Sequence, residues 1–102
     1  MLTKLQQSVV RKAIKTIEKG WCTGHSARRS DGSKCGVHNK EATVWCMEGA
    51  LLKNSPSRGT WSKILNEYKT KSFHPMYLFN DVSNRTKEQV LERLRRFADG
   101  SI

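Results

Sequence analysis

Acidic residues are scarce in this chain of 102: nine Asp and Glu stand against nineteen Lys and Arg, for a formal net charge of +10 and a pI near 10.0. Such an excess raises affinity and on-rate for nucleic acid or for acidic protein surfaces and carries no information about fold. Long apolar runs are missing too, since none approaches the ~20 residues of a membrane-spanning helix. An amphipathic helix starts almost at Met1, so no secretory leader is expected and the protein is assigned to the cytoplasm. Cysteine is limited to Cys22, Cys35 and Cys46, an odd number that closes no disulfide framework and suits a reducing interior. No internal repeat, low-complexity segment or phosphate-cradling glycine loop occurs. Asp81 has no second carboxylate beside it to form an acid–base pair. These absences point away from catalysis, and the chain reads as a single domain over residues 1–102 that works by binding.

Apolar content is modest at 36%, although three Trp and three Phe enlarge each buried position. Leu2, Leu5, Val9, Val10, Ala13, Ile14 and Ile17 recur at helical spacing and predict a first helix from Thr3 to Lys19, with Gly20 as a left-handed C-cap. The period then vanishes. Asp31-Gly32 predicts a tight turn between short strands near His25–Arg29 and Ser33–Val37, a polar hairpin expected to project from the body. Asn39 is placed as the cap of a second helix running to about Lys53, with Ala42, Trp45, Cys46, Gly49 and Leu52 inward. Gly49 within it costs about 1 kcal/mol relative to Ala, which calls for a close packing partner, most simply another helix. Residues 54–59 read as a loop, after which Thr60 caps a short helix carrying Trp61, Ile64, Leu65 and Tyr68. Residues 69–74 read as a basic linker, and Pro75 opens a short helix from Met76 to about Asn80. Thr86 with Gln89 forms a capping box for a last helix that buries Val90, Leu91, Leu94, Phe97 and Ala98 and stops at Gly100. The expected fold is mainly α, about five helices with one small β-hairpin at about residues 25–37.

The order Gly20-Trp21, then Trp45-Cys46-Met47-Glu48-Gly49-Ala50-Leu51, then Phe79-Asn80-Asp81, then Arg85-Thr86 leading to Glu88 and Val90 resembles an uncharacterised family of small bacterial and phage proteins. Its members read Gly-Trp, Trp-Cys-x-x-Gly-Ala-Leu, Trp-Asn-Asp and Arg-Thr-x-x-x-Val. The resemblance runs from about Val9 to Phe97, with Phe79 standing where the family usually has Trp. It implies a bacterial or phage origin and a compact helical domain, and it brings no activity, substrate or catalytic residue.

Four constellations bear on chemistry. Cys22-x-x-His25 and Cys35-x-x-His38 place two thiol–imidazole pairs across the hairpin, a ligand set suited to zinc. The alternative is a buried Cys22, an incidental Cys35 and two surface histidines. Cys46 falls on the inward stripe of its helix, where a thiol is buried and inert rather than nucleophilic. Asp81 is placed to accept backbone N–H groups or to pair with Arg85. The basic residues form three candidate surfaces: Arg28, Arg29, Lys34 and Lys40 on the hairpin; Lys69 and Lys71 in the linker; and Arg93 and Arg96, with Arg95, on the last helix. Trp21, Trp45 and Trp61 would stack on bases if exposed, but helical spacing puts Trp45 and Trp61 in the core.

Two functions follow from these features. One is a small basic binding protein associated with nucleic acid through backbone-dominated, salt-sensitive contacts. The other is a phage-encoded inhibitor, of the anti-CRISPR kind, that occupies an acidic surface of a host nucleic-acid-processing or defence complex.

Overall fold

The computed structural model describes residues 1–102 and contains five helices and a small antiparallel sheet. Helix α1 spans Lys4–Lys19, and Thr3 caps it in a reciprocal box, its hydroxyl accepting from the Gln6 N–H while Gln6 accepts from the Thr3 N–H. The predicted stripe is buried at Val9, Val10, Ala13, Ile14 and Ile17, and only Leu5 turns outward. Gly20 is not a left-handed cap: its φ of 175° is extended backbone. Its lack of a side chain serves packing instead, because a Cβ there would lie 2.3 Å from the Thr43 carbonyl oxygen.

Strands β1 (Ala27–Arg29) and β2 (Lys34–Cys35) form the expected hairpin, with Gly32 at φ +87° in its turn. Asp31 closes that turn by accepting from the Ser33 N–H at 2.9 Å and from its hydroxyl at 2.6 Å, and these bonds hold its carboxyl below the usual carboxylate range. The hairpin does not project. Ala27, Cys35 and Val37 are buried in the core, and a third strand, β3 (Ala42–Trp45), lies beside β1 to give the order β2-β1-β3.

Strand β3 overturns the expected helix from Asn39 to Lys53. Thr43, Val44 and Trp45 favour the pleated, half-buried surface that β1 offers, and Trp45 is buried through strand pairing opposite Ala27 rather than through a helical stripe. Asn39 makes a turn into the strand by accepting from the Glu41 N–H at 2.8 Å. Helix α2 (Met47–Asn54) therefore starts eight residues later than Asn39 and is capped by the Cys46 sulfur, which accepts from the Gly49 N–H at 3.2 Å. Gly49 does have a close partner, but it is strand-side backbone and not a helix: a Cβ would sit 2.1 Å from the Ser26 carbonyl oxygen.

Helix α3 (Arg58–Ser72) is longer than expected and absorbs most of the predicted linker. Ser57, not Thr60, caps it, and Phe73 ends it in the left-handed region at φ 65°. Helix α4 (Met76–Asp81) follows Pro75. Helix α5 (Lys87–Asp99) has the predicted Thr86–Gln89 box and a left-handed Gly100 cap. Twenty-one buried hydrophobic residues form one core cluster in which α1 packs on α2 and α5. Tyr68 of α3 meets Phe97 of α5 edge-on, the ring centroids 5.3 Å apart. No helix is long and apolar enough to cross a membrane.

Candidate functional site

The residues that carry the family resemblance converge on one buried side chain. Asn80 accepts through Oδ1 from the Trp21 indole N–H at 2.8 Å and from the Met47 N–H at 3.0 Å. Its Nδ2 donates to the Cys22 carbonyl at 3.1 Å and to Asp81 at 2.7 Å. Asp81 also accepts from the Gly24 N–H at 3.2 Å. Around this hub the Trp45 N–H donates to the Gly20 carbonyl, the Cys22 N–H to the Trp45 carbonyl and the Cys46 N–H to the Ser26 carbonyl, each at 3.1 Å. Every polar group of Asn80 is thus matched, which is what a residue 1% exposed requires. The hub joins the end of α1, the start of α2 and α4, and it has the chemistry of a structural knot.

Asp81 does not pair with Arg85. The Arg85 guanidinium donates to the Phe79 carbonyl at 2.8 Å and lies 3.7 Å from the centroid of the Phe79 ring. Cys46 is spent as a helix cap, and burial pushes its thiol up to about 11, so it is not a thiolate at neutral pH. Burial likewise raises the Cys22 thiol.

The largest cleft, of about 680 Å³, opens between the hairpin and the α2–α3 loop. His25, Cys35, His38, Asn39, Ser57 and Arg58 are among its lining residues, and no carboxylate is. The cap residue Ser57 and the first helical residue Arg58 contribute to the wall, at the positive dipole end of α3. Three of the four proposed zinc ligands thus share a cleft, while Cys22 lies apart from its lining and donates to the His25 carbonyl at 3.5 Å. No three His, Cys, Asp or Glu side chains stand close enough to hold a metal ion.

The predicted basic clusters separate by role. Arg28 is turned onto the hairpin backbone, donating to the Thr23 and Gly32 carbonyls. Arg29 binds Glu41 at 2.9 Å and the Lys34 carbonyl at 2.8 Å. Both arginines act as struts, whereas Lys34 and Lys40 are exposed and flank the cleft residues Cys35 and Asn39 in sequence. Lys69 and Lys71 are exposed on the last turn of α3. Arg93 donates to the Tyr68 hydroxyl at 3.1 Å and lies 5.0 Å from the Phe79 ring centroid, in a groove that Arg85, Gln89, Glu92 and Arg96 also line. Only three of the nineteen Lys and Arg, namely Arg11, Arg29 and Arg95, bridge to a carboxylate; the fourth bridge joins the N-terminal ammonium to Glu67.

Arg58 and Arg85 were not among the predicted binding residues. Extending the Trp61, Ile64, Leu65, Tyr68 period back to Ser57 would have put Arg58 on a helix N-terminus. Arg85 is visible in sequence only as part of the Arg-Thr landmark.

Residues 1–100 match the profile of DUF6197, a family of unknown function, and the chain belongs to that family. No curated protein and no solved structure matches it.

Proposed function

We propose that this member of a family of unknown function is a non-catalytic binding protein that associates with nucleic acid by gripping the phosphate backbone. The observation that carries the reading is the largest cleft, walled by Arg58, His25, His38 and the first turn of α3 and lined by no carboxylate. A guanidinium at the positive dipole end of a helix is a donor suited to phosphate oxygens. Lys34 and Lys40 flank that cleft in sequence, and sixteen of the nineteen Lys and Arg carry no carboxylate partner in a chain of net charge +10, a balance that favours encounter with polyanions. The non-catalytic part of the reading is supported by the thiol of Cys46, which serves as a cap, and by Asp81, which is consumed by the hub.

Fluorescence anisotropy with a labelled oligonucleotide across a salt series tests the proposal. Engagement of about four phosphates on duplex predicts a slope of log K against log salt near −3.6. Absence of binding even at low ionic strength overturns it. Recovery of a host protein, but no nucleic acid, from nuclease-treated lysate would favour the inhibitor reading instead.

A further inference from the structure

Six large apolar residues are exposed, and four of them, Phe73, Tyr77, Leu78 and Val82, fall within ten residues of one another on the α3–α4 corner and α4. Phe73 is the extreme case. It is 91% exposed and has a φ of 65°, a conformation that disfavours bulky side chains and is ordinarily filled by Gly or Asn at a helix end. The ring therefore adds a backbone penalty and an unburied aromatic face without contributing to the core. An outlier of this kind, held by the surrounding structure, marks a position where something other than stability is served.

The surroundings specify what the ring would meet. Lys69 and Lys71 are exposed on the helical turn that leads into it. Next to it in sequence, His74 packs edge-on against Tyr68, the centroids 5.7 Å apart, and the Tyr68 hydroxyl accepts from Arg93. Arg93 and Arg85 both lie over Phe79, at 5.0 and 3.7 Å from its centroid. Tyr68 is itself buried and Phe79 is half-buried beneath Arg85 and Arg93, so the ring this corner offers to solvent most fully is Phe73, with Lys69 and Lys71 exposed just before it. Glu92 is the one carboxylate lining the groove at Phe79. An exposed ring with cations beside it matches a ligand that offers flat bases on an anionic backbone, and only a single strand presents its base faces, since a duplex stacks them away.

Resting on the nucleic-acid reading above, we infer that the ligand is single-stranded and that Phe73, flanked by Lys69 and Lys71, is the platform on which one of its bases stacks. The test measures anisotropy of a labelled dT oligonucleotide and of the corresponding duplex at low salt, with wild type, Phe73→Ala, Phe73→Gly and Phe73→Trp. The single strand binds more tightly than the duplex to wild type. Phe73→Ala and Phe73→Gly each weaken the single strand by about 5- to 150-fold, the range one base–aromatic stack supplies, and leave the duplex unchanged. Phe73→Trp restores binding. Thermal melting of Phe73→Gly rises rather than falls, which separates loss of the ring from loss of the fold. Equal affinity for both probes with an inert Phe73→Ala overturns this inference and leaves the backbone-binding reading standing; no binding of either probe overturns both. Binding of polyglutamate that depends on Phe73, with none of dT, overturns it in favour of an acidic protein partner.

Discussion

The Asn80 hub and the Phe73 corner lie only seven residues apart in sequence and obey opposite rules. At the hub every polar atom is matched, glycines stand where a Cβ has no room, and the side chains are spent on one another. At the corner a bulky residue takes a glycine's conformation, its ring faces solvent and its neighbours are cations that no carboxylate bridges. The difference teaches which landmarks to read as architecture. Gly20, Trp21, Trp45, Gly49, Asn80 and Asp81 look like a functional signature in sequence, yet in space they tie α1, β1, β3, α2 and α4 together. The residues available for a partner are the less conspicuous ones around them.

The contrast breaks most readily at Gly49. Gly49→Ala drives a Cβ into the Ser26 carbonyl and should cost about 3 kcal/mol or more, read by urea denaturation; a cost under 1 kcal/mol would mean the α2–β1 approach is loose. Asn80→Ala leaves the Trp21 indole, the Met47 N–H and the Cys22 carbonyl without their partner. The expected loss is about 3 kcal/mol, with the unaffected folded fraction still binding nucleic acid normally. Arg58→Ala at the cleft should do the reverse, lowering the salt slope for duplex by about 1 while changing stability by less than about 0.5 kcal/mol. Phe73→Gly sharpens the comparison further, because relieving the left-handed strain should stabilise the fold by about 1 kcal/mol.

The smallest effect concerns Glu48, which links the two regions. Its half-buried carboxylate accepts from the Tyr77 N–H at 3.0 Å, and burial raises its pKa above 4.5. Between that ordinary value and the raised one, the native state holds the proton more tightly than the unfolded chain. Stability therefore falls as pH rises through the window. Glu48→Gln keeps an acceptor and should flatten that slope in pH-dependent melts, with little change elsewhere.

Legibility in the sequence followed the range of the interactions. Helices α1 and α5, the Asp31-Gly32 turn and the Thr86–Gln89 box were readable because cap and stripe repeat within three or four residues. Strand β3 was not, since Ala42, Trp45, Gly49 and Leu52 also satisfy a helical period and nothing local shows that Ala27 and Arg28 lie opposite. Lys34, Lys40, Lys69 and Lys71 could be picked as exposed cations, whereas Arg28 and Arg29 could not be recognised as struts until the hairpin carbonyls they bind were in place.

Sequence alone settled the charge excess, the helical character and most helix ends, because each depends on composition or on neighbours a few residues away. Tertiary structure alone decided that residues 42–45 pair as a strand, that Gly49 presses on Ser26, and that His25, His38 and Arg58 share one cleft. Those outcomes rest on contacts between segments up to thirty-three residues apart (His25 to Arg58). Such contacts form through loop closure and packing, for which no local pattern of residues is a sufficient guide.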